Sequence, residues 1–286
     1  MKTVYHYCSA ETFLSVIRYK KLWLGDIRYM NDHMEVKWFM EAFKQLLDSE
    51  LTDYQHKALY KNIIENQLVT KPYISCLSQS GDILSQWRAY AQDGQGIAIG
   101  LDSCKLEVEM NKTIRINTLV KNSFYLNKVN YLSVEDVKDL IIKTLNEYPD
   151  VLTFFSNENL DFSNIPQELQ NRIAFLGRTI LHMSLHFKNP AFNEEKEVRL
   201  IYNHLPDHHT DKKENRSHSD FLKSKTIRIS QGNLTSHYEF PIPNGAISEI
   251  IIGPKCKFDI DDVREFAKLS GLSQDIFVEK SKASYR

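Results

Sequence analysis

Short apolar runs bounded by turn residues alternate irregularly with helical repeats along this chain of 286 residues. Runs of three to five residues predict strands at 4–7, 22–24, 73–77, 97–101, 198–202, 226–230, 238–242 and 249–252. Because strands and helices do not alternate as they do in a doubly wound fold, the pattern predicts an α+β fold. We expect a mixed, mostly antiparallel sheet with peripheral helices.

Apolar residues at helical spacing predict the helices. Ser9 is expected to cap the first helix, and residues 35–47 form the second. A short helix places Trp87 and Tyr90 on one side, a pattern most typical of core packing. The last helix covers residues 259–269. The longest helix has apolar residues at intervals of 4, 3, 4, 3 and 4, namely Leu169, Ile173, Leu176, Ile180, Met183 and Phe187.

The chain contains no internal repeat and no linker rich in proline or glycine. We therefore predict a single domain over residues 1–286, in which residues 133–188 could form a helical lobe. Residues 204–225 have almost no apolar side chains and many charges, which predicts an exposed polar loop.

Charge and cysteine content exclude several classes of protein. Thirty-six Lys and Arg against 37 Asp and Glu give a formal net charge of −1, too balanced for binding nucleic acid or membranes through bulk charge. Cys8, Cys76, Cys104 and Cys256 are far apart, which argues against a zinc knuckle or a disulfide scaffold. No apolar run approaches the roughly 18 residues that span a bilayer. We expect a cytoplasmic protein that does not enter membranes.

The most informative charged segment contains Glu195, Glu197 and Arg199. On a strand these three side chains would share one face, because side chains alternate with period two. A carboxylate pair of this kind can serve as acid, base or stabilising anion, and Arg199 could keep one member ionised. The alternative is a ladder of charges that faces solvent.

Histidines offer two further candidate sites. His6 lies beside Tyr7 at the end of the first strand, where it could donate to a ligand hydroxyl, or could be a hydrogen-bonded core histidine. His182 and His186 are four residues apart on a helix, but no third ligand follows at a set spacing. We therefore predict no metal site.

An ordered set of motifs resembles the prokaryotic domain of unknown function numbered twenty-nine seventy-one. The motifs extend over nearly the whole chain: Tyr5-His6-Tyr7-Cys8-Ser9, Leu22-Trp23-Leu24, Asn31-Asp32 with Glu35, Ser85-Gln86-Trp87-Arg88-Ala89-Tyr90-Ala91 with Gly96, and Phe187-Lys188, Phe192 and Glu195-x-Glu197-x-Arg199. Because the family's function is unknown, the resemblance identifies the type of domain more than its function.

A looser resemblance extends to ADP-ribosyltransferase folds, which carry a histidine on an N-terminal strand and a glutamate on a late strand. It implies a split sheet and NAD as the substrate. His6 would then bind the adenosine ribose, Glu197 would be the catalytic glutamate, and Glu195 the upstream acidic residue of an E-x-E motif. Tyr29 or Tyr90 would stack on nicotinamide. The cofactor-binding set predicted in this way is His6, Tyr7, Tyr29, Trp87, Tyr90 and Arg199.

Three functions follow as hypotheses. The first is an ADP-ribosyltransferase or NAD glycohydrolase that modifies a protein or nucleic-acid acceptor, in bacterial toxin or phage-defence biology as the resemblance implies. The second is a non-catalytic module that senses a nucleotide or other ligand. The third is a nuclease or hydrolase in which Glu195, Glu197 and Lys188 or Lys196 act with a divalent metal. The sequence leaves the acceptor and the oligomeric state open.

Overall fold

A computed structural model of the chain describes residues 2–29, 33–50, 57–63, 71–106, 108–110, 124–157, 161, 164–204, 225–230, 232–273 and 276–285. The strands are β1 Thr3–Cys8, β2 Lys21–Asp26, β3 Lys71–Ser78, β4 Ile97–Asp102, β5 Glu109–Met110, β6 Phe124–Lys128, β7 Asn130–Tyr131, β8 Phe187–Lys188, β9 Glu197–His204, β10 Thr226–Ser230, β11 Asn233–Pro241, β12 Ile247–Ile252 and β13 Phe277–Lys280. The helices are α1 Ala10–Tyr19, α2 His33–Glu50, α3 57–63, α4 Leu84–Tyr90, α5 Val134–Leu145, α6 Pro149–Phe155, α7 Gln167–Ser184 and α8 Ile260–Leu269.

Most strands join one large sheet in the order β10-β11-β2-β3-β1-β4-β12-β13, with β9, β6 and β5 joined to it through β3. The β12–β13 and β5–β6 pairs are parallel, and the other pairs in this sheet are antiparallel. Strands β7 and β8 form a separate parallel pair. The α+β fold with a mixed, mostly antiparallel sheet is therefore confirmed.

The sheet divides at β3. Strand β9 pairs with β3 along its whole length, from Lys71 to Ser78, so β1 and β2 must share the opposite edge of β3. Strand β2 pairs there through Tyr73 and Ile74, whereas β1 pairs only through Ser78. Because β1 and β2 pair with β3 at different places, they diverge and continue into two half-sheets, and we call this divergence of β1 and β2 from β3 the fork. We call β1-β4-β12-β13 the first half-sheet and β2-β11-β10 the second.

Apolar cores cover both faces of the sheet. Side chains of α1 and α8 pack with alternate residues of β9, such as Val198 and Leu200. Ile201 follows Leu200, so its side chain points to the other face of the sheet and packs against α2, α5, α6 and α7. The helices of the predicted lobe at residues 133–188 thus share their core with α2.

Local signals account for several helix and strand ends. Ser9 caps α1 as predicted, since its side chain accepts from the backbone N–H of Thr12. Gly96 lies where β4 approaches β1, and a Cβ there would be 2.1 Å from the carbonyl oxygen of Cys8. Glycine is required at this contact because any side chain would meet backbone.

Two predictions from periodicity were wrong in detail. The longest helix ends at Ser184, and Phe187 lies instead in β8. Glu195 ends a short 3₁₀ helix, and Lys196 has a φ of 47°, so the strand begins only at Glu197. Strands β5, β6, β7, β8 and β13 were not predicted. Nearly all of the predicted loop at 204–225 lies outside the described residues.

Candidate functional site

A cavity of about 880 Å³ lies where the two half-sheets diverge. Its lining comes from both half-sheets, from α1 and α4, and from the edge of β3 between them: His6, Tyr7, Cys8, Ser9, Glu11, Thr12, Ser15, Val16, Tyr19, Lys21, Trp23, Gly25, Tyr29, Ile74, Ser75, Cys76, Leu77, Gln86, Tyr90, Glu195, Glu197, Arg228 and Glu239. The volume is in the range of cavities that hold cofactors and small molecules, about 300–1,000 Å³.

Most residues predicted for the site line this one cavity, namely His6, Tyr7, Tyr29, Tyr90, Glu195 and Glu197. Trp87 and Arg199 do not line it, and both are fully buried. The indole N–H of Trp87 donates to Asp82 at 2.7 Å, and its ring packs edge-on against Tyr7. We therefore assign Trp87 a packing role. Arg199 instead binds the carboxylate of Glu197.

Glu197 lies between two buried cations. Its Oε1 accepts from Nε of Arg199 at 2.6 Å, and its Oε2 accepts from Nζ of Lys188 at 3.1 Å and from Nη2 of Arg199 at 3.2 Å. Arg199 also donates to the carbonyl oxygen of Leu185, which fixes the guanidinium. A carboxylate has about four acceptor positions, and these three hydrogen bonds leave at least one of them open with respect to the described residues.

The two cations set the charge of Glu197. Burial by itself raises the pKa of this carboxyl group, but the charges of Arg199 and Lys188 outweigh it and hold the pKa well below its ordinary value of 4.5. Glu197 is therefore an anion at neutral pH. The backbone N–H of Glu197 donates to the hydroxyl of Tyr131 at 2.8 Å, which fixes the start of β9.

Glu195 approaches the same lysine from a different element. Its Oε2 is 2.5 Å from Nζ of Lys188, and its side chain is 14% exposed against 5% for Glu197. The side chain of Ser78 donates to the carbonyl oxygen of Glu195 and fixes the end of the 3₁₀ helix. The two glutamates thus converge on Lys188 although they do not share a strand face.

The side chain of His6 lies at the fork and lines the cavity. Strand pairing places Tyr5, Ser78 and Glu197 side by side, so the pleat alone would direct His6 to the opposite face. Because β1 leaves β3 after Tyr5, the ring of His6 lies in the gap and hydrogen-bonds the backbone of Cys76. Burial lowers its pKa, and that hydrogen bond opposes the effect. Among the described residues, none makes a hydrogen bond to its Nδ1.

The tyrosines of the lining differ in what they can offer. The hydroxyl of Tyr7 donates to the carbonyl oxygen of Ser80 and accepts from the N–H of Ile83, so it is fully used inside the protein. Tyr29 is 45% exposed, and Tyr90 is partly buried. Both rings present a surface to the cavity, and the structure does not choose between them as the stacking partner.

Sequence reasoning missed part of the lining. Trp23 and Arg228 were assigned to predicted strands and not to the site. Alternation along β2 gives a signal for Trp23, because it lies between the buried Leu22 and Leu24 and must face away from their core. Among the hypotheses of function, only the metal-dependent one gave Lys188 a role. Its ion pairs to Glu195 and Glu197 connect three different elements, so no local sequence pattern indicates them.

The prediction that His182 and His186 share a helix was wrong, because α7 ends at Ser184 and His186 lies in the turn that follows. Both belong to a buried hydrogen-bonded cluster. Nδ1 of His186 donates to the carbonyl oxygen of His182, its Nε2 accepts from Asn127, and both imidazoles stack on Tyr125. Within the part of the chain that the structure describes, no group of three or more His, Cys, Asp or Glu side chains could hold a metal ion. The cysteines described there form no disulfide with one another, and Cys104 is exposed.

Comparisons with known proteins bear on the middle of the chain. Residues 86–200 match the model of a family described as "Protein of unknown function (DUF2971)". This stretch contains part of α4 and the Glu195-x-Glu197-x-Arg199 motif, so the predicted resemblance is confirmed. No curated protein and no solved structure gives a significant match. No described helix is long and apolar enough to cross a membrane.

Proposed function

We propose that the cavity binds NAD and that the chain breaks the bond between nicotinamide and ribose, as ADP-ribosyltransferases and NAD glycohydrolases do. One observation carries the proposal: His6 and Glu197, which the sequence places far apart, line the same cavity at the divergence of two half-sheets. Had either side chain faced away from this cavity, the two could not have contacted one dinucleotide. The cavity also has the volume such a ligand needs.

The negative charge of Glu197 suits cleavage of the bond between nicotinamide and ribose. When the glycosidic bond breaks, its electron pair leaves with nicotinamide and positive charge develops on the ribose C1′. A carboxylate fixed in advance lowers the energy of that cationic transition state. Arg199 and Lys188 keep Glu197 ionised and immobile, and its open acceptor position can receive a hydrogen bond from a ribose hydroxyl.

Glu195 fits the second half of the reaction. An acceptor O–H or N–H, or water, must form the new bond to C1′ and lose its proton. Glu195 is the more exposed of the two carboxylates and touches Lys188, to which Glu197 also pairs. We assign it to orienting the acceptor and receiving this proton. The acceptor is a protein or nucleic acid in the transferase and water in the glycohydrolase.

His6 and an aromatic ring complete the proposed binding mode. His6 lines the cavity, which supports its contact with the adenosine ribose. Tyr29 or Tyr90 would stack on nicotinamide. The resemblance to ADP-ribosyltransferases extends this proposal to bacterial toxin or phage-defence biology in the cytoplasm.

The test is NAD consumption by purified protein, with Glu197→Gln as the key variant. We expect wild-type protein to release nicotinamide and Glu197→Gln to be slower by about 100-fold or more, because the substitution keeps the shape and removes the charge. Glu194→Gln is the matched control, since Glu194 is exposed and lies outside the cavity lining. Wild-type rates in Glu197→Gln would contradict the proposal.

Glu197→Gln could also lower stability, since Lys188 and Arg199 would keep their charges with less compensation. Thermal unfolding of each variant therefore accompanies the assay. Glu195→Gln provides a second variant at a less buried position, and we expect it to slow transfer to the acceptor. Wild-type protein that binds NAD and leaves it intact over hours would favour the non-catalytic sensor, a function compatible with glutamates that are already paired.

A further inference from the structure

The wall of the cavity formed by the second half-sheet carries an aromatic and cationic cluster. On β2, Trp23 lines the cavity and is 48% exposed. His237 on β11 stacks against Trp23 with ring centroids 4.2 Å apart. The guanidinium carbon of Arg228, on β10, lies 5.1 Å from the centroid of Trp23 and also reaches the cavity. Three adjacent strands thus build one surface.

Arg228 is partly buried, and among the described residues it has no anionic partner. Its Nε is inaccessible to solvent, and no hydrogen-bond acceptor reaches it within the described part of the chain. No carboxylate of those residues lies within salt-bridge range of its guanidinium. Burial of an unpaired guanidinium is unfavourable, so this arrangement costs stability unless something else supplies the charge. Burial also lowers the pKa of Arg228.

The other charges of the lining are mostly compensated. Glu239 pairs with Lys21 at 2.5 Å, and Glu195 and Glu197 pair with Lys188. These carboxylates therefore oppose a bound anion less than free ones would. Glu11 is the remaining acidic residue of the lining, on α1, and it accepts a long hydrogen bond of 3.4 Å from Gln92.

We propose that Arg228 is the phosphate-binding group of the cavity and contacts the pyrophosphate of a bound dinucleotide, with Trp23 holding its guanidinium in place. The terminal N–H donors of a planar guanidinium match phosphate oxygens, and a cation–π contact such as that with Trp23 does not occupy them. This inference deepens the proposed function, because it rests on a nucleotide as the occupant of the cavity.

The experiment measures binding of ADP-ribose, which has the pyrophosphate and lacks the bond to be broken, by calorimetry at low salt. We expect Arg228→Gln to bind ADP-ribose about 10- to 100-fold more weakly than wild type. Arg228→Lys should fall between them, because it keeps the charge and loses the paired donors. Adenosine carries no phosphate, so its affinity should be equal in wild type and Arg228→Gln. Arg264→Gln, on the exposed face of α8, is the control.

Stability gives an independent readout. Among the described residues, the guanidinium of Arg228 would lose only its cation–π contact with Trp23, and removal of a partly buried charge without an ion pair should offset that loss. Arg228→Gln should therefore unfold at the same temperature as wild type or at a higher one, whereas substitution of an arginine held in an ion pair would lower it. The phosphate assignment is overturned if Arg228→Gln binds ADP-ribose as tightly as wild type, or if wild type does not bind it. Failure of NAD cleavage together with Arg228-dependent ADP-ribose binding would overturn the reaction and leave this subsite in place.

Discussion

Glu197 shows how a single residue is prepared for one chemical role. Its carboxylate is buried, and it accepts hydrogen bonds from Lys188 and Arg199. A general acid would need a raised pKa, whereas these cations lower that of Glu197. The residue therefore suits stabilisation of positive charge better than donation of a proton. This distinguishes the proposed glycosidic chemistry from mechanisms that need a protonated carboxylic acid at this position.

The lowered pKa predicts a pH dependence of stability. Glu197 binds its proton more weakly in the folded state than in the unfolded state, so its contribution to the free energy of unfolding is complete above its ordinary pKa of 4.5. That contribution is lost as the pH falls from 4.5 through the lowered pKa of the folded protein. The stability difference between wild type and Glu197→Gln should therefore shrink on acidification.

Urea unfolding of both proteins at neutral pH and below pH 4.5 measures this difference. Glu194→Gln, at an exposed position, should follow the wild-type curve at each pH. A difference between wild type and Glu197→Gln that stays constant, or grows, as the pH falls would contradict the assigned ionisation of Glu197.

At the residue scale, the sequence predicted which residues belong to the site better than it predicted which side chains contact them. Period-two alternation correctly put Glu197 and Arg199 on one strand face, because that relation is local. Glu195 was assigned to the same strand, but the left-handed backbone at Lys196 ends the 3₁₀ helix there. Its approach to Lys188 arises because β8, the 3₁₀ helix and β9 meet in space, and no local pattern encodes that meeting.

The elements that position the cavity are the strands of the fork and the helix α4. Runs of apolar residues predicted β1, β2, β3 and β9, because each is long enough to bury a face. The two-residue strands β7 and β8 were missed, since their pairing depends on how α7 ends. The fork itself was not predictable, because it depends on where along β3 its two neighbours pair.

Helix α4 is held against the first half-sheet and the C-terminal segment by Asp82. This carboxylate accepts from the indole of Trp87 at 2.7 Å, from the hydroxyl of Ser281 at 2.5 Å and from the N–H of Lys282 at 2.7 Å. Gln86 and Tyr90 of the same helix line the cavity. Asp82 therefore connects the C-terminal segment to one wall of the site.

Substitution Asp82→Ala should lower the free energy of unfolding by about 1–3 kcal/mol, because it leaves the buried indole N–H of Trp87 without an acceptor. It should also weaken ADP-ribose binding, since α4 would lose one of its attachments. Urea unfolding and calorimetry measure the two effects. Asp262→Ala, at an exposed position of α8, is the control and should change stability by no more than about 0.5 kcal/mol. Equal stability of the two variants would refute the role of Asp82.

Over the whole molecule, near-neutral charge conceals strongly charged sites. The chain has 36 basic and 37 acidic residues, and the cluster of Lys188, Glu195, Glu197 and Arg199 is itself balanced. The cavity thus has a fixed carboxylate at Glu197 and, at Arg228, a guanidinium that no carboxylate of the described residues pairs. A ligand with separated positive and negative groups suits such a cavity, and NAD combines a cationic nicotinamide with an anionic pyrophosphate.

In the proposed binding mode, one NAD molecule spans the cavity from His6 and Arg228 to Glu197. A crystal structure of Glu197→Gln soaked with NAD tests this mode most directly, since this variant should bind the substrate and cleave it slowly. We expect the nicotinamide ribose beside residue 197, the adenosine ribose beside His6 and the pyrophosphate at Arg228. NAD bound outside this cavity, or a cavity that stays empty at saturating NAD while Glu197→Gln is folded, would contradict it.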